Sequence, residues 1–222
     1  MTETHRPRDT RESYDAIATD YEEYVRGDLE ARPLERAMLA AFAESVRGTG
    51  HGRVADIGCG TGRVSAHLSG LGLDVLGVDL SPGMLERARS AYPNLCFQEG
   101  SMTDLSLGDG ALGDGVLGGV VSWYSLIHIE PGHVPGVLAE FHRVLAPGGR
   151  LLLAFQVGDE PLRLTEAFGR AVALDFHRWR PDRLAGLLVG AGFAVEARLV
   201  REAYPTERTP QAFLLARRPA GA

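Results

Sequence analysis

Residues 54–62 read Val54-Ala55-Asp56-Ile57-Gly58-Cys59-Gly60-Thr61-Gly62, and this stretch decides the fold. A short apolar run passes through an acid into a glycine turn, the pattern of a strand handing over to a helix at the mouth of a parallel sheet. The next apolar run, Val75–Val78, ends in a second acid, Asp79, twenty-one residues after Gly58. A strand, a glycine turn and an acid at that spacing outline a nucleotide-type pocket.

Working outward, strand and helix patterns alternate. Helices are expected over Ser13–Tyr24, where Tyr14, Ile17 and Tyr21 share a face, and over Leu34–Val46, Arg63–Ser69, Pro82–Ala91, Val134–Val144 and Pro181–Val189. A further helix is expected over Leu162–Ala173. Strands are expected at Val54–Ile57, Val75–Val78, Leu95–Glu99, Val120–Ser122, Arg150–Gln156, Phe193–Arg201 and Gln211–Arg217. The glycine-rich stretch 107–119 reads as a loop. Alternation of this kind predicts an α/β fold. Its sheet is a Rossmann-like, mostly parallel one of seven strands with helices on both faces, and the closing strand pair supplies one antiparallel strand.

Composition narrows the function. The 222 residues suit one domain, with residues 1–12 read as a disordered tail and 13–218 as the folded unit. A net charge of −6 argues against a nucleic-acid partner, which wants a basic face. Two cysteines cannot build a disulfide framework, the N-terminal residues lack an apolar signal core, and no apolar run is long enough to span a membrane. A cytoplasmic protein is expected, and no His/Cys/Asp/Glu spacing suggests a metal site.

The turn itself discriminates between nucleotides. A dinucleotide fingerprint needs a small residue at the position that Arg63 occupies, and Gly62 falls one residue early. Asp56 would stand close to where a pyrophosphate would rest and would repel it, but would welcome a cation. S-adenosylmethionine carries an ammonium and a sulfonium and no phosphate, and a carboxylate at Asp79 can accept from both ribose hydroxyls.

Taken together, D-I-G-C-G-T-G at 56–62, V-D-L-S at 78–81, S-M-T-D-L at 101–105 and L-A-P-G-G-R-L-L-L at 145–153 resemble the class I S-adenosylmethionine-dependent methyltransferases over roughly residues 12–218. The resemblance implies an N-terminal helical lid segment (13–50), a cofactor-binding core (51–157) and a substrate-side insertion with closing strands (158–218). It implies backbone contacts to the cofactor at Gly58, Cys59, Gly60 and Gly62, ribose binding at Asp79 with Leu80 beside it, adenine contacts at Ser101 and Met102, and the methionine end bordered by the segment from Trp123 onward; Asp56 joins these on its charge. Related sequences carry an aromatic–acid pair just before the fourth strand, where this chain has Gly118-Gly119.

Tyr14 and Tyr21, in a Y-D-x-x-A-x-x-Y helix, are either core aromatics or part of a lid that touches the cofactor and excludes water. Arg32 is either a solvated arginine or a partner for the methionine carboxylate. His128, in W-Y-S-L-I-H-I-E-P, is the candidate general base and acceptor contact. His177 is a candidate acceptor contact, and Trp123, Tyr124, Phe176 and Trp179 are either walls of the acceptor pocket or core. The expected activity is methyl transfer from S-adenosylmethionine to an oxygen or nitrogen of a small molecule, plausibly in secondary metabolism. The alternatives are an RNA or protein methyltransferase, a binding protein of the same fold without methyl transfer, and a nicotinamide oxidoreductase, which Arg63 and Asp56 both oppose.

Overall fold

The computed structural model describes residues 7–50, 52–105 and 112–220. Two helices open the chain, α1 (Pro7–Tyr24) and α2 (Pro33–Arg47). The alternating units follow: β1 (Arg53–Ile57), α3 (Arg63–Gly70), β2 (Asp74–Asp79), α4 (Pro82–Ala91), β3 (Cys96–Glu99), β4 (Leu117–Trp123) and α5 (Val134–Val144). The chain ends with β5 (Leu145–Gln156), the hairpin β6 (Leu162–Ala167) and β7 (Arg170–Phe176), then α6 (Pro181–Gly190), β8 (Ala194–Arg201) and β9 (Gln211–Arg217). The main sheet has seven strands in the order β3-β2-β1-β4-β5-β9-β8, and β9 runs antiparallel to both of its neighbours.

Strand periodicity sorts the core into two layers. Ala55 and Ile57, Val120, Leu151 and Leu153 point to one face, beneath Leu138 and Phe141 of α5 and Leu184 and Leu188 of α6. Val54, Val121, Leu152 and Ala154 point to the other, beneath Phe42 and Val46 of α2 and Val64 and Leu68 of α3. Each fully buried side chain of this size contributes about 1.5–3 kcal/mol. β4 is buried throughout, so both layers close over it and the β1–β4 switch point lies at the centre of the sheet.

Four expectations are corrected. α1 begins at Pro7, so residues 7–12 are helical, while the first six residues of the expected tail lie outside the described residues. The stretch expected as a helix at Leu162–Ala173 is the β6–β7 hairpin, whose alternating Leu162, Leu164, Val172 and Leu174 obey a period of two. Its two-residue turn, Phe168-Gly169, takes positive φ at both residues, as the twist of a tight hairpin requires. The glycine-rich loop ends earlier than expected. Leu117–Gly119 already belong to β4, and a Cβ at Gly119 would lie 2.6 Å from Phe42 Cζ, so glycine there lets α2 pack on the sheet. Residues 107–111 of that loop lie outside the described residues. Finally, β5 starts at Leu145, with Ala146–Gly149 bulging out between the pairs Leu117–Leu145 and Gly119–Arg150.

Candidate functional site

The β1–α3 turn is held by its own backbone. The amides of Gly58 and Cys59 donate to Val78 O at 2.7 and 3.1 Å, Gly60 donates to Asp79 Oδ2 at 2.7 Å, and Gly62 donates to Cys59 O at 3.0 Å. These amides are engaged within the protein and so do not form a phosphate cradle. Gly58 has φ +76°, and a Cβ there would lie 2.2 Å from Ser125 Cβ. Its absence lets the loop after β4 close on the turn, where Ser125 Oγ donates to Ile57 O at 2.6 Å.

Two carboxylates face the cleft above this turn, which encloses about 560 Å³. Asp56 is fully buried and accepts from Ser65 Oγ at 2.7 Å, but its Oδ1 has no partner among the described residues. Burial pushes its carboxyl up to about 6, against the lowering effect of the Ser65 bond. Asp79 accepts from the amides of Ser81 (2.9 Å) and Gly60, one on each oxygen. Burial raises its carboxyl too, and these amides oppose the rise. An unpartnered buried carboxylate oxygen beside a second acid suits a cation or a set of hydroxyls and rejects phosphate. The ammonium and ribose of S-adenosylmethionine fit these two positions.

Of the expected cofactor residues, Tyr14, Tyr21, Asp56, Gly58, Cys59, Gly60, Asp79, Leu80, Ser101, Met102 and Trp123 all line this cleft. Two do not. Gly62 caps α3 with φ +82°, and a Cβ there would meet Phe97 Cζ at 2.8 Å, so it serves the turn and its packing. Arg32 lies outside the cleft because its guanidinium is held by Asp28 (2.5 Å) and Glu207 and lies over the Tyr204 ring. Arg11 and Arg63 line the cleft in its place. The Cys59 thiol is pushed well up, chiefly by burial and then by Asp79 and Asp56, which fits a spacer and not a nucleophile.

Helix α1 forms the roof. Asp15 Oδ1 accepts from Ser81 Oγ at 2.6 Å and from the Gly83 amide at 2.8 Å, and Arg11 pairs with Glu99 at 2.9 Å. On its other side the Ala173 amide donates to Ser13 Oγ at 2.9 Å, and Ile17 packs on Val172 and Leu174. The helix is thus clamped between α4 and the β6–β7 hairpin.

Tyr14 and His128 meet under this roof. His128 Nδ1 lies 2.9 Å from the Asp175 carbonyl oxygen, which can only accept, so Nδ1 carries the proton. In the neutral ring Nε2 then accepts from the Tyr14 hydroxyl at 2.8 Å. Burial raises the Tyr14 phenol well above its ordinary value.

A second cavity of about 570 Å³ adjoins the first and shares Tyr14, Tyr21, Arg63, Trp123 and Tyr124 with it. Tyr124 has φ +55°, a left-handed conformation uncommon outside glycine, and its ring stands edge-on to Trp123 and Phe213. Leu162, Leu164, Leu174 and Phe176 form the hairpin wall. Tyr24 and Phe168, both exposed, meet edge-to-face at 5.7 Å over the cavity.

The acceptor-pocket expectations divide. Tyr124 lines both cavities and His128 the first. His177 and Trp179 line neither. His177 is tied through its amide to Ile127 O at 2.7 Å, and Trp179 is a core residue. The chain here is extended, so Phe176 and Arg178 face the cavity while their odd-numbered neighbours face away. Arg178 and the 206–211 segment are cavity walls to which the sequence pattern does not point.

Comparison with known proteins places this geometry. Residues 54–149 match the family model described as a methyltransferase domain. The chain is 34% identical over 168 residues to the ubiquinone/menaquinone biosynthesis C-methyltransferase UbiE of Syntrophotalea carbinolica, covering 73% of this chain and 68% of that one. It is 32% identical over 148 residues to a demethylmenaquinone methyltransferase of Beutenbergia cavernae, covering 67% of this chain and 58% of that one. Among solved structures, the DhpI–S-adenosylhomocysteine complex superposes with TM-score 0.73 at 22% identity, covering 96% of this chain and 97% of that one. The chain belongs to the class I S-adenosylmethionine-dependent methyltransferases. It spans about half the length of several curated relatives that it matches, between 47 and 58%. No helix among the described residues is long and apolar enough to cross a membrane.

Proposed function

We propose that this protein transfers a methyl group from S-adenosylmethionine to an oxygen or nitrogen of a small molecule. The observation that carries this reading is the shared wall. A cofactor in the first cavity, with its ribose at Asp79 and its ammonium at Asp56, has its reactive end beside Trp123 and Tyr124, where the second cavity opens. Arg63, at the first turn of α3 and on the wall of both cavities, suits the methionine carboxylate in the place expected for Arg32. The cleft-lining Ser101 and Met102 suit the adenine.

The bound cofactor supplies an activated methyl group for direct in-line displacement. The chain's own residues align the acceptor, exclude water and take its proton. The Tyr14–His128 pair suits the last task. Tyr14 donates to His128 Nε2, so its remaining lone pairs are available to an acceptor O–H or N–H. As the acceptor proton passes to the Tyr14 oxygen, the Tyr14 proton passes to His128. Because Tyr14 sits on α1, this relay is complete only when the lid is docked, which ties deprotonation to the exclusion of water.

The test is incubation of purified protein with methyl-labelled S-adenosylmethionine and a panel of small hydroxyl- and amine-bearing acceptors. Label transfer with stoichiometric S-adenosylhomocysteine release supports the reading. Tight cofactor binding with no transfer to the small molecules, but with transfer to RNA or protein, overturns it.

A further inference from the structure

Most of the charged groups that line the second cavity are committed to one another. Arg32 is held by Asp28 and Glu207, and Arg63 lies 3.5 Å from Asp28. Glu35 and Glu207 are also held by Arg201, just behind the wall. The neighbouring acids are occupied as well, Asp175 by Arg163 at 2.7 Å and Asp159 by Arg180 at 2.7 Å. Arg178 is different. Its guanidinium has neither a carboxylate within 4.0 Å nor a hydrogen-bond partner among the described residues, and its Nε is buried.

This arginine is deliberately seated. The bridge between Val157 and Trp179 fixes its backbone beside the end of β5, with Trp179 N donating to Gln156 O at 3.0 Å. Its stem lies across Gly158, where a Cβ would meet Arg178 Cδ at 2.9 Å. A second unpartnered buried atom, Gln156 Oε1, belongs to the same cavity, and Arg208, also without a partner among the described residues, lines it from the exposed side. The residue is half-buried, its Nε is withdrawn from water without an acceptor, and its planar fork matches an oxyanion.

We propose that Arg178 anchors an oxyanion of the methyl acceptor, so that the acceptor is a small organic acid, a carboxylate or a phosphate ester. Its apolar body lies against Phe176, Leu174 and Leu164, and Gln156 Oε1 accepts from a hydroxyl or amine on the same molecule. This rests on the reading of the second cavity as the acceptor pocket. Arg178 is then a specificity residue, with no part in the proton relay.

The experiment is a calorimetric titration of the protein saturated with S-adenosylhomocysteine, using matched probes: benzoate against benzamide, hexanoate against hexanamide, and phenyl phosphate against phenol. The expected result is that at least one acid binds about tenfold or more tightly than its neutral match, that R178Q removes this preference without changing neutral-probe or S-adenosylhomocysteine affinity, and that R178K restores part of it. The carboxylate and phosphate arms show which oxyanion is taken. Equal binding within every pair, or a preference that survives R178Q, overturns the proposal. If neutral probes bind in the second cavity while acids are not preferred, the small-molecule pocket stands and only the acidic acceptor falls. If no probe of either kind binds, the acidic acceptor falls, and the labelled-methyl assay above decides the small-molecule reading separately.

Discussion

Asp56→Asn separates stability from cofactor affinity. The Asp56 carboxyl is pushed up to about 6 by burial, whereas an unburied aspartate titrates near 3.9. Each tenfold change in proton affinity is about 1.4 kcal/mol, so the ionised carboxylate costs the ligand-free protein about 3 kcal/mol. Because the folded value lies above the unfolded one, the wild-type protein loses this stability as pH rises from about 4 through 6. The asparagine keeps an oxygen for Ser65 Oγ and carries no charge. Urea unfolding should therefore show D56N about 1–3 kcal/mol more stable than wild type at pH 7.5, with the difference closing near pH 4. Cofactor binding should move the other way. Only about a tenth of Asp56 is ionised at pH 5, so wild-type affinity for S-adenosylhomocysteine should rise about tenfold between pH 5 and 7, and D56N should show no such rise. As a control, 5′-methylthioadenosine, which lacks the ammonium, should be flat with pH in both proteins. A D56N protein that is less stable than wild type, with wild-type affinity for S-adenosylhomocysteine at every pH, would refute this reasoning.

Three further outcomes follow from the geometry. Gly58→Ala puts a Cβ 2.2 Å from Ser125 Cβ at φ +76°, so circular dichroism should show a destabilisation of about 3 kcal/mol and calorimetry a loss of cofactor binding. Asp15→Ala removes the acceptor for Ser81 Oγ and the Gly83 amide. Amide exchange across α1 should speed up while the core strands keep their protection, a local loss of about 1–3 kcal/mol. Tyr14→Phe breaks the bond to His128, so with a working acceptor kcat should fall about a hundredfold and S-adenosylhomocysteine affinity should barely change; an unaltered kcat would exclude the relay.

The glycine turn and its two acids, the proposed cofactor side, were legible because they are local. Asp56, the glycine turn and Asp79 lie within 24 residues of one another, and their strand–turn–helix setting fixes their direction. The acceptor side was not, because it is assembled from α1, the β6–β7 hairpin and the 206–211 segment, far apart in sequence. One misreading propagated there. Taking Leu162–Ala173 as a helix hid the period of two that continues past β7, and with it the choice among neighbours: Phe176 and Arg178 face the cavity, while His177 and Trp179 face away. Arg32 stayed open between two readings for a related reason: only the folded chain brings Glu207 beside it. The place of Tyr14 was half visible. Its place on an amphipathic helix suggested a lid, but its bond to His128 spans 114 residues.

The measurement that tests the central claim most directly is a crystal structure with S-adenosylhomocysteine bound. The account predicts ribose hydroxyls on Asp79, the ammonium on Asp56 Oδ1, and the sulfur at the wall formed by Tyr14, Trp123 and Tyr124, directed into the second cavity. A sulfur directed away from that cavity, or an amino-acid end that leaves Asp56 unpartnered, would contradict it.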